Sequence, residues 1–415
     1  MPFSEQAYSA RLRELFKKFP SVQTRGFTQN AYKPGLEGML RFDAALGSPW
    51  KSYPCIHVAG TNGKGSVSSM IAASLASDGL KVGLYTSPHL SDFRERMKVV
   101  SEAGTRLVSR EEVWDFLEEY ESFTEGLSFF EITTGMALRW FSACRVDCAV
   151  IEVGLGGRLD STNIITPVLS VVTSIGLDHC ALLGNSRAAI AAEKAGIFKK
   201  NVPALVGFTD AETEPVFREK AEETGCPLTL LPAVSIAAGE SFQKMNRATA
   251  CAALEMTGHR PNQAAIERMA ELTGLHGRWE TLSLNPELVA DIGHNPQALA
   301  LNFARLENTG RPLMIVYGVM ADKDLDTIAS YMPSGARYFL CAPATERALP
   351  VQLLFSRLKA LRPDLDIRPF DSVASAVESA ISYAGQIANS LIYVGGSNFV
   401  VSELFEIPRF KTTEN

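Results

Sequence analysis

No stretch of this chain approaches the roughly 18–20 consecutive apolar residues that a bilayer-spanning helix requires. Met1–Pro20 is charged and helix-like, with Arg11, Arg13, Glu14, Lys17 and Lys18, and it lacks the apolar core of a signal peptide. Cysteine is sparse and scattered: seven residues, at positions 55, 144, 148, 180, 226, 251 and 341, an odd number with no CxxC pair. A disulfide framework is therefore excluded, and the expected compartment is the cytoplasm. Cys144 and Cys148 admit a metal pair, but their apolar setting at a helix-to-strand crossing favours two buried thiols. Positive charge is not in excess either, since the net charge is −6, which argues against a nucleic-acid binder with a broad basic surface. A local loop with one lysine still binds an anion against that global sign. Internal repeats and low-complexity tracts are lacking, and only the tail after Arg409 reads as frayed.

What is present is an ordinary soluble composition, 46% apolar and 21% charged, in 415 residues. That length exceeds what one hydrophobic core usually organises and predicts two domains. Short apolar runs (Cys55–Ala59, Lys81–Tyr85, Cys148–Val153, Leu169–Ser174, Ala204–Gly207) alternate with helical patterns (Ser66–Ser77, Arg110–Tyr120, Glu131–Cys144, Arg187–Ile197, Glu212–Thr224). Such alternation predicts a parallel sheet with helices on both faces. Two further helices, Phe242–Thr257 and Gln263–Leu272, lead to a hinge expected near His276–Pro286. The alternation then restarts from Leu288 as a second, smaller α/β unit. The expected domains are residues 1–280 and 281–415.

The strand Cys55–Ala59 empties into Gly60-Thr61-Asn62-Gly63-Lys64-Gly65-Ser66, and a helical run follows at once. Strand, glycine loop and helix form the context of a phosphate-binding loop. Glycines let backbone N–H groups converge on phosphate oxygens, the helix N-terminus adds partial positive charge, and Lys64 reaches the β- and γ-phosphates. The spacing departs from G-x-x-x-x-G-K-[ST], because the first glycine stands four residues before Lys64 and Gly65 separates the lysine from Ser66. A second cluster, Gly154-Leu-Gly156-Gly157-Arg158, is a weak dinucleotide fingerprint: Leu159 stands where a glycine is needed and Asp160–Asn163 reads as a turn.

Glu152 ends an apolar strand, and Asp178-His179 follow the next one, so acid and imidazole are delivered to the edge that carries the phosphate loop. A lone carboxylate there is costly unless it is paired or bound to a cation. Magnesium suits oxygen donors, whereas His179 alone reads equally as a metal ligand or a polar turn.

The segments Gly60–Ser66, Tyr85-Thr-Ser-Pro-His-Leu90, Glu152–Arg158, Gly176-Leu-Asp-His179 and Asp291-Ile-Gly-His-Asn-Pro296 occur in this order. Over roughly residues 25–400 the set resembles the folylpolyglutamate synthase/dihydrofolate synthase family of the Mur ligase superfamily. The resemblance implies an N-terminal P-loop domain with a mostly parallel sheet, followed by a smaller Rossmann-like α/β domain. It maps ATP contacts to Gly60, Thr61, Asn62, Gly63, Lys64, Gly65 and Ser66, and later to Asn246, Arg278 and Asp291. Magnesium maps to Ser87, Glu152, His179 and Lys194, the last as a carboxylated lysine; read bare, Lys194 is a solvated helical lysine. The pterin contact maps to Ser128, Phe129, Phe130 and Glu131, a segment that reads otherwise as a Ser-capped helix entry with core phenylalanines. Glutamate handling maps to His294, with a catalytic role, and to Ser397. The implied reaction is ATP-dependent addition of L-glutamate to dihydropteroate or reduced folates through an acyl phosphate, with ATP and Mg²⁺ required, by a monomer without nucleic-acid or membrane partners. The alternatives are a Mur ligase acting on a UDP-sugar peptide and a nucleotide-binding switch without ligase activity.

Overall fold

The run Cys55–Ala59 is buried at every position because it lies in the middle of a sheet with a parallel neighbour on each side. This is seen in a computed structural model that describes residues 3–19, 35–232 and 242–411. Two compact units divide the chain: Met1–Val234 with Gln243–Leu275, and Ser235–Phe242 with His276–Asn415. Among the described residues the first unit has the strands β1 (Cys55–Ala59), β2 (Val82–Tyr85), β3 (Met97–Ser101), β4 (Gly104–Leu107), β5 (Cys148–Glu152), β6 (Leu169–Val172), β7 (Ala204–Val206) and β8 (Leu228–Leu230). Their order is β4-β3-β2-β5-β1-β6-β7-β8, parallel except for the antiparallel pairings β2–β3 and β3–β4. Chain order reverses around β1, and the carboxyl ends of strands at such a switch point form a crevice for ligands.

The helix after the loop, Lys64–Ser77, is rich in alanine and serine and is buried nearly all round. The sheet covers one side and the helices Gln263–Glu267 and Met269–Thr273 cover another, so small residues are what the space admits. The helix Phe129–Cys144 is started by a capping box: Ser128 Oγ accepts from Glu131 N, and the Glu131 carboxylate accepts from Ser128 N.

The second unit has the strands β9 (Glu280–Leu284), β10 (Glu287–Asp291), β11 (Leu313–Tyr317), β12 (Arg337–Leu340), β13 (Asp366–Pro369) and β14 (Leu391–Gly395), in the order β13-β12-β11-β14-β10-β9. Only β9 runs antiparallel among these described strands. Within the segment expected as a hinge, His276–Pro286, the residues Glu280–Leu284 form a strand paired to β10 inside this unit. Cys144 and Cys148 are half-buried rather than buried, and Cys144 Sγ accepts from Arg106 Nη2 at 3.1 Å. The frayed tail expected after Arg409 falls mostly outside the described residues, as does the start of the family resemblance at residues 25–34.

Candidate active site

The glycine loop leaves β1 and is tied along its length to the end of β6. Thr61 N donates to Ser174 O at 2.8 Å, Thr61 Oγ1 bonds Gly176 O and N at 3.1 and 3.0 Å, and the hydroxyls of Thr173 and Ser174 donate to Asn62 O at 2.7 and 3.0 Å. Gly60 and Gly63 have φ of +151° and +87°, and a β-carbon on either would overlap a neighbour, Thr173 Oγ1 and Asn246 Oδ1 respectively. Left-handed backbone and closed space together admit only glycine there. Asn246, on the helix Phe242–Met256, is buried against the loop. Lys64 opens its helix, and its ammonium donates to Gly60 O at 3.0 Å and Thr61 O at 3.4 Å, folded over the loop that it follows. The helix N-terminus behind it favours an anion.

Beside the loop stands a buried carboxylate. Glu152 is 2% exposed and lies opposite Val58 in the β1–β5 register, two residues before Gly60. Because β2 also pairs with β5 in parallel, the chain leaving Tyr85 passes this carboxylate, and Ser87 N donates to Glu152 Oε2 at 3.0 Å. Arg96, also buried, is a coulombic partner of Glu152 and donates from Nε to His89 Nδ1 at 2.9 Å. Burial, aided by Arg96, holds His89 well below its usual range, so its ring is neutral and accepts that bond.

His179 has φ of +53° and starts the short turn Cys180–Leu183. Its Nε2 lies 3.8 Å from Asp178 Oδ2. Lys194 departs from the solvated reading, since it is 4% exposed at the last turn of Arg187–Ala195. Burial, and secondly Lys64, push its amine down to about 7, against the opposing pull of Asp178, Asp160 and Glu193. Among the described residues no three His, Cys, Asp or Glu side chains gather at one point. Ser87 and Glu152 are brought together, and a hydroxyl-bearing residue beside a buried carboxylate suits an oxygen-seeking cation that keeps several waters, as Mg²⁺ does.

Ser128 and Glu131 are engaged with one another in the capping box, and Phe129 is in the core. Phe130 differs. It is half-buried, with its ring 5.9 Å from that of Tyr85, and a β-carbon on Gly154 would meet its Cε1 at 2.6 Å. The glycine at 154 therefore accommodates an aromatic face.

In the second unit Asp291 ends β10 and accepts from Trp279 N (2.9 Å), Gly293 N (2.8 Å) and Asn302 Nδ2 (2.7 Å). Ile292 N donates to Gly277 O at 3.0 Å, so the turn carrying Arg278 is laid beside Asp291. His294 Nδ1 is 3.1 Å from Ile292 O, which as a carbonyl only accepts, so Nδ1 carries a proton. Ser397 is fully buried and caps the helix Asn398–Glu406, accepting from Phe399 N at 3.1 Å. Asp291 pairs with Gly395, so His294 and Ser397 follow the carboxyl ends of adjacent parallel strands.

Sequence reasoning missed the residues behind this edge. Thr173 and Ser174 were readable as hydroxyls ending an apolar strand, but Arg96 and Asn163 carry no local signal and are found only through long-range contacts.

A phosphate loop on a largely parallel sheet, with a smaller parallel α/β unit after it, defines a Mur-type ligase. Family models match in two parts: "Mur ligase middle domain" over residues 58–235 and "Mur ligase, glutamate ligase domain" over 277–398. The "Dihydrofolate synthase/folylpolyglutamate synthase" of Escherichia coli is 34% identical, over 90% of this chain and 91% of that protein. A protein of Haloferax volcanii named "Probable bifunctional folylpolyglutamate synthase/dihydropteroate synthase" is 32% identical over 89% of this chain, which spans only 48% of that longer protein. Escherichia coli FolC in complex with DHPP and ADP superposes with a TM-score of 0.82 at 29% identity, covering 96% of this chain and 97% of that one. A bifunctional folylpolyglutamate synthase/dihydrofolate synthase with Mn, AMPPNP and L-glutamate bound gives 0.80 at 28% identity, covering 96% and 97%. The chain belongs to the folylpolyglutamate synthase/dihydrofolate synthase family of the Mur ligase superfamily.

Proposed function

We propose that this ligase uses ATP to join L-glutamate to the carboxylate of dihydropteroate and of reduced folates. The observation that carries the reading is the phosphate loop closed by Thr173 and Asn246 immediately beside the buried Glu152. A carboxylate does not condense with an amine, because oxide is too poor a leaving group. In the proposed sequence the bond between the γ-phosphorus and its bridging oxygen breaks as an acceptor carboxylate oxygen bonds that phosphorus, giving an acyl phosphate and ADP. The α-amine of glutamate then attacks the acyl carbon, phosphate leaves with the carbon–oxygen electron pair, and the amine proton is lost to water.

In this reading the loop amides and Lys64 hold the phosphates in line, and Asn246, Arg278 and Asp291 serve the nucleotide. Ser87, Glu152, His179 and Lys194 would hold Mg²⁺, which when bound neutralises phosphate charge and polarises the transferred group. Lys194 serves as a carbamate: its ammonium first loses one proton, and the neutral amine then adds CO₂ and releases a second, so that a buried cation becomes an anion. Burial supports this by keeping the amine partly neutral near pH 7. Phe130, backed by Tyr85 and Gly154, stacks on the pterin, while Ser128, Phe129 and Glu131 shape the wall behind it. His294 and Ser397 handle glutamate. The working protein is a monomer of the cytoplasm.

The test is incubation of the protein with ATP, Mg²⁺, L-glutamate and either dihydropteroate or tetrahydrofolate, with ADP and the glutamylated product measured. ADP release at the acceptor-free background with both acceptors would reject the assignment.

A further inference from the structure

The second glycine cluster, unused as a dinucleotide loop, lies against the last turn of the helix Arg187–Ala195. A β-carbon on Gly157 would sit 2.8 Å from Glu193 O and 3.0 Å from Lys194 O, and one on Gly196 would sit 2.6 Å from Arg158 Cα. Loop and helix end are therefore in backbone contact on both sides. The helix is only nine residues long, and the last carbonyls of a helix have no partners within it. Its conformation, and with it the depth of Lys194, has to be fixed from outside.

Two residues span the joint. Arg158 N donates to Glu193 O at 2.8 Å, and its guanidinium donates to Glu193 Oε1 from Nε at 3.1 Å and Nη2 at 2.8 Å. Asn163 Nδ2 donates to Arg158 O and to Gly196 O, each at 3.0 Å, and Lys199 Nζ donates to Asn163 O at 2.9 Å. Magnitudes separate them. The Arg158 guanidinium is 55% exposed, and an ion pair of that kind contributes little. Asn163 is 6% exposed, and loss of its amide would leave two carbonyls without their donor where water has little access.

We propose that Asn163 is a positioning residue for Lys194: its carboxamide staples the glycine loop to the helix end and so fixes how deep the lysine amine is held. The role rests on the proposed function of Lys194 as a carbamate, and it assigns to Gly157 of the second cluster the task of close approach to that helix.

The experiment uses the full chain with ¹³C-bicarbonate. The carbamate signal is identified as the one absent in Lys194→Arg, and bicarbonate is titrated in the wild type, Asn163→Ala and Arg158→Ala. Loss of two buried hydrogen bonds should raise half-saturating bicarbonate on the order of tenfold in Asn163→Ala, with ADP affinity retained. Arg158→Ala should shift it by less than about threefold. In parallel, reductive ¹³C-methylation of Lys194 should run on the order of tenfold faster in Asn163→Ala, because an amine no longer held at depth meets reagent. A wild type without any carbamate signal would overturn the carbamate, not the staple, which the methylation rates then decide. Titrations and methylation rates matching wild type in Asn163→Ala would overturn the staple. Should Asn163→Ala fail to fold, Gly196→Ala, which forces the loop and helix apart from the other side, is read by the same two measurements.

Discussion

Gly63 lies so close to Asn246 that a β-carbon on the glycine would overlap the carboxamide oxygen, while its φ of +87° is one that L side chains rarely adopt. Gly63→Ala therefore meets two obstacles, backbone strain of about 1–2 kcal/mol and the displacement of Asn246. Calorimetry should find ADP binding at least about tenfold weaker, for each 1.4 kcal/mol is a factor of ten. Adding Asn246→Ala relieves the overlap but not the strain, so the double variant should bind more weakly than wild type. Lys64→Ala, whose own contacts are to loop carbonyls, should fold normally and form no ADP above the background.

Glu152→Gln keeps the shape of the side chain and an oxygen for Ser87 N, but removes the charge. The fold should survive, because the hydrogen bond does. Magnesium dependence should not: half-maximal ligation is expected at a Mg²⁺ concentration about tenfold higher or more, by analogy with the 10–100-fold costs of disturbing metal-site partners. An unchanged Mg²⁺ titration would remove Glu152 from the cation site.

The loop and its strand were legible because the signal is local: five buried residues, two glycines with positive φ, and a helix within 23 residues. Lys194 was not, because its burial is tertiary: the loop 154–158 that packs on its helix end lies some 36 residues earlier in the chain. The β3–β4 hairpin was missed because Gly104–Leu107 is short, polar and half-exposed, with none of the apolar alternation that marks a strand. β9, inside the segment expected as a hinge, was not read as a strand for a similar reason. At an edge, with its residues partly solvated, it has little apolar pattern to show, and only its pairing with β10 defines it.

Phe129 and Phe130 are adjacent but separate packing from recognition. Phe129 is 1% exposed in the core, with the Arg96 guanidinium 5.5 Å from its ring centre, so Phe129→Ala should cost about 3–5 kcal/mol in urea unfolding. Phe130 is half-buried, and a stacking contact is worth about 0.5–1.5 kcal/mol beyond burial. Phe130→Ala should therefore raise KM for dihydropteroate about threefold to tenfold, leaving KM for ATP unchanged. Equal effects on both substrates would place the ring outside the acceptor site.

The fully buried His57 on β1 gives the protein an acid limb. Thr162 Oγ1 donates to Asp160 Oδ1 at 2.5 Å and so accepts from His57 Nε2 at 2.8 Å, which puts the ring proton on Nε2. Nδ1 is buried without a hydrogen-bond partner, so a second proton would have no acceptor. Burial, with a smaller push from Lys199, lowers the group from 6.5 to about 3. Between those values the unfolded chain binds a proton that the native state does not. Stability conferred by the neutral ring is thus complete above pH 6.5 and is lost as pH falls toward 3, at up to about 1.4 kcal/mol per pH unit. His57→Leu removes this one proton while leaving the Thr162–Asp160 bond intact. Urea unfolding between pH 6.5 and 4.5 should give a shallower decline for the variant, by close to one proton in the slope; parallel curves would show that another group sets the acid limb.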